Sequence, residues 1–122
     1  MKLEWYEKNL IVALRILLPF FKRYHYYLCN LDINSQDGDY MIFCSLFKKK
    51  KVTIILNPGF DILIEKKKSL FNPNQTISLI QEKKHFPKFT SLHCDFKNEE
   101  ELEKLIKEYT FFIEECFVEY LK

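Results

Sequence analysis

Three apolar runs between Tyr40 and Glu65, divided by a lysine cluster and by Asn57-Pro58-Gly59, leave this chain little choice but a β-sheet. Each run is of strand length and rich in β-branched and aromatic residues. In the first, Tyr40, Ile42, Cys44 and Leu46 fall on one side while Met41, Phe43 and Phe47 fall on the other, because strand side chains alternate. In the second, Val52, Ile54 and Leu56 oppose Thr53, Ile55 and Asn57. In the third, Ile62 and Ile64 oppose Asp61, Leu63 and Glu65. The first two runs are apolar on both sides and belong in the centre of the sheet; the third, more one-sided and flanked by charge, belongs nearer an edge. Asn57 to Phe60 predicts a short hairpin, with Pro58 presetting the backbone and Gly59 free to accept a positive φ.

Helices are expected at both ends. Leu3, Tyr6, Leu10, Ala13, Leu14 and Leu17 recur at helical spacing, widened by Ile11 and Leu18, and Pro19 predicts an end or kink at Leu18. The run is not a signal peptide: Glu4 and Glu7 precede it, Arg15 interrupts it and no small-x-small site follows. It is too short and too charged to cross a bilayer. At the far end Asn98 predicts an N-cap with Glu101 closing a capping box, and Leu102, Leu105, Ile106, Tyr109, Phe112, Ile113, Cys116, Tyr120 and Leu121 repeat every 3.6 residues.

Between these, Tyr24 to Ile33 alternates imperfectly as a first strand, and Asn34 to Asp39 is a turn with Gly38 at its positive-φ position. Thr76 to Ile80 is either a strand or a helical turn, Glu82 to Lys88 a loop, and Phe89 to Phe96 a last strand. The whole of residues 1–122 therefore reads as one α+β domain: N-terminal helix, antiparallel sheet of about four to five strands, long amphipathic C-terminal helix.

Chemistry is sparse. With only Gly38 and Gly59, a glycine-rich phosphate cradle is excluded. Asp32, Asp37 and Asp39 surround a tight turn but lack the glutamate of a calcium loop, so no metal is assigned, and no cofactor. His25, His85 and His93 with nearby lysines suggest, as a third-ranked reading, a metal-independent ribonuclease, although no pattern fixes two histidines on one face. Cys29, Cys44, Cys94 and Cys116 are scattered, without C-x-x-C spacing, and read as buried free thiols suited to a reducing cytoplasm. Net charge is +2, yet residues 1–94 hold fifteen Lys or Arg against eight Asp or Glu, and residues 95–122 four against nine. Lys48 to Lys51 and Lys66 to Lys68, with Phe47, Phe71 and the Tyr24 to Tyr27 group, give the second-ranked reading, a basic module for single-stranded nucleic acid or an anionic membrane surface. The absence of an RNP-like aromatic motif lowers the nucleic-acid case, and solvated strand ends are the plainer account of the lysines.

The order of elements, with an acidic Asp37-Gly38-Asp39 turn, strands carrying Tyr40-Met41-Ile42-Phe43 and Val52-Thr53-Ile54-Ile55, a Gly59-Phe60-Asp61-Ile62 step and a Glu-rich last helix, resembles the small immunity proteins of bacterial polymorphic toxin systems, including contact-dependent growth inhibition. The resemblance implies a cytoplasmic, non-enzymatic protein that binds a cognate toxin domain, in many cases a nuclease, and blocks its active site. Many such inhibitors of nucleases are strongly acidic, and this chain is not. Partner contact is then expected from the acidic turn and its aromatics: Asp32, Asp37, Asp39, Asp61, Tyr24, Tyr26 and Tyr40. The acidic side of the C-terminal helix is the competing surface. Two helices on one side of a sheet apolar on both would leave a face for loops, a second copy or a partner to cover.

Overall fold

A computed structural model describes residues 5–35, 38–47, 49–57, 59–65 and 76–122 of the chain. Its first element is helix α1 (Trp5–Lys22), which buries Val12, Ala13, Leu17, Phe20 and Phe21. The helix continues past Pro19 to Lys22 rather than ending at Leu18. An interior proline costs about 3 kcal/mol, but Phe20 and Phe21 beyond it are 5% and 0% exposed, and burying two such rings offsets that at roughly 1.5–3 kcal/mol each. Ile11 and Leu18 do not widen the buried stripe; each is 42% exposed. The helix closes with Tyr24 N–H on the Phe21 carbonyl and His25 N–H on the Lys22 carbonyl, both 3.0 Å. His25 takes φ 66, the left-handed cap position usually given to glycine.

Five strands follow, β1 (Tyr26–Ser35), β2 (Gly38–Ser45), β3 (Lys51–Asn57), β4 (Asp61–Glu65) and β5 (Thr76–Ser78), in spatial order β1-β2-β3-β4-β5 and antiparallel throughout. β1 carries a bulge: Leu28 faces Phe43 and Asn30 faces Ile42, so Cys29 is an extra residue. That insertion is why its alternation reads imperfectly in sequence. Gly38 has φ 110, as its turn position requires. Gly59 serves another purpose than the expected positive φ: a Cβ there would lie 3.2 Å from the Cys94 carbonyl oxygen.

One sheet face is core. Met41, Phe43, Val52, Ile54, Ile62, Ile64 and Ile77 are 0–7% exposed on it, and Phe21 of α1 packs 4.7 Å from Phe43. After a short helix α2 (Leu79–Glu82) and two 3₁₀ turns at Lys83–His85 and Pro87–Phe89, the chain reaches helix α3 (Glu99–Phe112) on the same side. The predicted last strand at Phe89 to Phe96 is not one. The segment makes a turn and then an irregular extended stretch, held by Phe60 N–H on the Cys94 carbonyl at 2.8 Å and by the Tyr109 hydroxyl on the His93 carbonyl at 3.0 Å.

Asn98 caps α3, accepting from Glu101 N–H at 2.9 Å, while Glu101 accepts from Lys97 N–H at 2.7 Å. Past Phe112 the helix widens into a π turn (Ile113–Phe117) and resumes as α4 (Val118–Leu121). The extra residue moves the buried side onto Phe117 and leaves Cys116 and Tyr120, expected inside from a 3.6 period, half-buried. Lys50 stops the C-terminal end, its Nζ donating to the Tyr120 carbonyl at 2.9 Å where the helix dipole is negative. Among the described residues no helix is long and apolar enough to cross a membrane.

Candidate protein-docking site

The opposite sheet face has a different composition. Register places Asp32, Tyr40, Ile55 and Asp61 in one row across four strands, and Ile42, Thr53, Leu63 and Ser78 in the next. Where the helical face is sealed, these side chains are all part-exposed. Both long helices lie on the Phe43 side, so among the described residues no long helix covers Tyr40, Ile42, Ile55 and Leu63. The result is an apolar strip with a carboxylate at each end of one row.

Three of the seven residues expected at a partner surface, Asp32, Tyr40 and Asp61, thus meet in that row. Tyr26, Asp39 and Tyr24 do not join them. Tyr26 is 4% exposed and points into the core, where burial, and secondarily the Glu65 charge, pushes its phenol above the ordinary range. Asp39 is 5% exposed, so its side chain too is largely withdrawn from the surface. Tyr24 is half-buried at the end of α1, tilted against Phe20 with the Arg23 guanidinium over it. Asp37 lies outside the described residues, as do Lys48, Pro58, Lys66 to Lys68, Phe71 and Asn72 to Asn74.

Asp61 has internal work as well. Its carboxylate accepts from Ser78 Oγ, from its neighbour Ile62 N–H at 2.8 Å and from Ile80 N–H at 3.2 Å, tying β4 to the start of α2. Burial raises its carboxyl above the usual aspartate range, and those three bonds pull the other way. Asp32 therefore carries the accessible charge of the row.

The cysteines correct an expectation. Cys29 and Cys44 form a disulfide with Cα atoms 5.9 Å apart, leaving Cys94 and Cys116 as thiols. The bulge that adds Cys29 to β1 brings it beside Cys44 on β2, within the separation a bridge needs. Four scattered positions in sequence gave no sign of this pairing, and the thiol argument for a reducing compartment falls with it.

A second surface was not expected at all. Beside β1 a groove of about 710 Å³ is lined by Leu18, Lys22, His25, Tyr26, Leu28 and Leu46 among others. Leu46 is 60% exposed and Phe47, whose ring meets His25 edge-on at 5.3 Å, 76%. The sequence signal was present but subtle: Ile11 and Leu18 make the α1 stripe wider than one buried face needs.

Elsewhere the chemistry is thin. His25, His85 and His93 are exposed on separate elements, and among the described residues no cluster of three or more His, Cys, Asp or Glu is placed to hold a metal ion. Asn9 is 3% exposed on α1, and its amide has no hydrogen-bond partner among the described residues. No protein-family model matches the chain, and no curated protein or solved structure matches it either.

Proposed function

We propose that this protein is a non-enzymatic inhibitor that binds a partner protein domain on the open face of its sheet, the partner being a toxin domain of the kind that bacterial immunity proteins neutralise. One observation carries the reading: among the described residues both long helices sit on one side of a sheet that is apolar on both, leaving Tyr40, Ile42, Ile55 and Leu63 part-exposed beside Asp32. Apolar anchors in the middle with charge at the margin are the composition of a specific interface. Asp32 suits a basic groove on the toxin, such as a nuclease presents to phosphates. The reading carries a cytoplasmic location with it, one that the Cys29–Cys44 disulfide does not itself support.

The test begins with the reading frame beside this chain's own, where a toxin domain is expected, and uses that domain in purified form. Wild type is expected to abolish its activity in a purified mixture. Tyr40→Ala is expected to weaken binding at least tenfold, and Asp32→Lys mainly to slow association and flatten its salt dependence. Full inhibition by both variants, with unchanged kinetics, overturns the placement on this face. A steep loss of single-stranded RNA affinity with salt would instead support the nucleic-acid reading.

A further inference from the structure

β1 is the terminal strand of the sheet, ten residues long, and among the described residues no strand pairs with its outer edge. An edge of that length offers a row of backbone donors and acceptors to another strand. Leu18, 42% exposed, lines the groove beside it, and Leu31 of the strand itself, on the helical side beside Met41, is exposed to the same extent. We infer that a second copy of this chain covers this surface, its β1 pairing antiparallel with the first about a twofold axis between Cys29 and Asn30.

The bulge makes that register possible. Residues three apart on a regular strand face opposite ways, so an edge that paired Leu28 with Leu31 of a second copy would mismatch its faces. Here Cys29 is an additional residue, and register with β2 puts Leu28 beside Phe43 and Leu31 beside Met41, both on the helical side. Tyr27 beside Cys44 and Asp32 beside Tyr40 are both on the open side. Setting Leu28 against Leu31 of the second copy therefore sets Tyr27 against Asp32, and Tyr26 against Ile33, with every pair on a matching face. The Cys29–Cys44 bridge holds the bulge in place.

Charge agrees with the same arrangement. The groove's ionisable members besides tyrosine are Lys22 and His25, at the Tyr26 end of the strand, and Asp32 is at the other end. Antiparallel pairing about a twofold brings the basic end of each copy to the acidic end of the other, an isologous contact that satisfies itself twice. Leu31 and Ile33 of each copy then lie over the groove of its neighbour. This goes beyond toxin binding: the open faces of the two sheets stay free and join into one surface of ten strands.

Sedimentation of the oxidised, full-length chain over a wide concentration range tests the inference. Wild type is expected at twice the chain mass. Leu31→Arg, at a position exposed in the single copy, is expected to halve that mass with an unchanged circular dichroism spectrum. The double variant Tyr27→Cys, Asp32→Cys, made with Cys29→Ser and Cys44→Ser because Tyr27 lies opposite Cys44 on β2, is expected to give a covalent dimer on a non-reducing gel, since the two positions are too far apart along one strand to bridge within a copy; either substitution alone in that background gives none. A wild type that sediments as a monomer throughout overturns the inference. So does a dimer that survives Leu31→Arg and fails to crosslink, which would place the interface elsewhere or give the edge to a strand of another protein.

Discussion

The hydroxyl of Tyr109 on α3 donates to the carbonyl of Phe60 at 3.1 Å, while the two rings meet edge-on with centroids 4.8 Å apart. The same oxygen lies 3.0 Å from the His93 carbonyl, so one fully buried side chain ties the last long helix to the start of β4 and to the segment that replaces the expected last strand. Its phenol is raised well above the ordinary tyrosine range, by burial first and then by Asp61, Cys94 and Glu108. Tyr109→Phe keeps the ring and removes the single hydroxyl hydrogen that the Phe60 and His93 carbonyls share. It is expected to cost about 1–3 kcal/mol in urea unfolding, and an unchanged midpoint would mean those carbonyls find water.

Asp61 predicts a pH dependence. Burial holds its carboxyl above the usual aspartate range, so the folded state binds that proton more tightly than the unfolded chain does. Its contribution to stability is fully present below the unfolded aspartate range and is lost as pH rises through the raised folded value. Asp61→Asn keeps an acceptor for Ile62 and Ile80 and never ionises. The variant is expected to be more stable than wild type at neutral pH, with the gap closing in acid. A gap constant across pH would contradict the assignment.

The bridge between Cys29 and Cys44 spans a sequence separation of 15, for which closing the loop is worth about 3 kcal/mol. Reduction, or Cys29→Ser with Cys44→Ser, is expected to lower unfolding stability by about that amount. Thiol titration in denaturant is expected to find two groups, Cys94 and Cys116, before reduction and four after.

Neighbouring residues on β3 give a direct reading of the one-sided cover. Ile54 is 0% exposed under the helices, whereas Ile55 is part-exposed on the open face. Ile54→Ala is expected to cost about 2–5 kcal/mol and Ile55→Ala less than half as much. Equal losses in the isolated protein would mean that something shelters both sides.

Much of the fold was legible because its signals are local. Val52 to Asn57 alternates as a strand whatever its neighbours, Asn98 and Glu101 announce a helix start by their spacing, and Gly38 marks its turn. What escaped reading depends on residues far apart in the chain. Pro19 is a helix breaker until Phe20 and Phe21 have a core to enter. Cys29 and Cys44 become partners only once a bulge sets the register of β1. Phe89 to Phe96 has the composition of a strand, but its carbonyls are claimed by Phe60 and Tyr109 instead of a sheet edge. The open-face row was half-visible: Asp32 and Tyr40 were singled out and share it, while Tyr26 and Asp39 were drawn inside because polarity in sequence does not report depth.

The covalent link between β1 and β2 also changes how the molecule behaves under tension. Pulled from its two termini, the oxidised chain carries load across the bridge, and Asn30 to Phe43 stay slack however far the rest is drawn out. Its taut length stops short of the reduced chain's by roughly 50 Å. A motor threading the oxidised polypeptide through a pore that admits a single extended strand would stall at this closed loop.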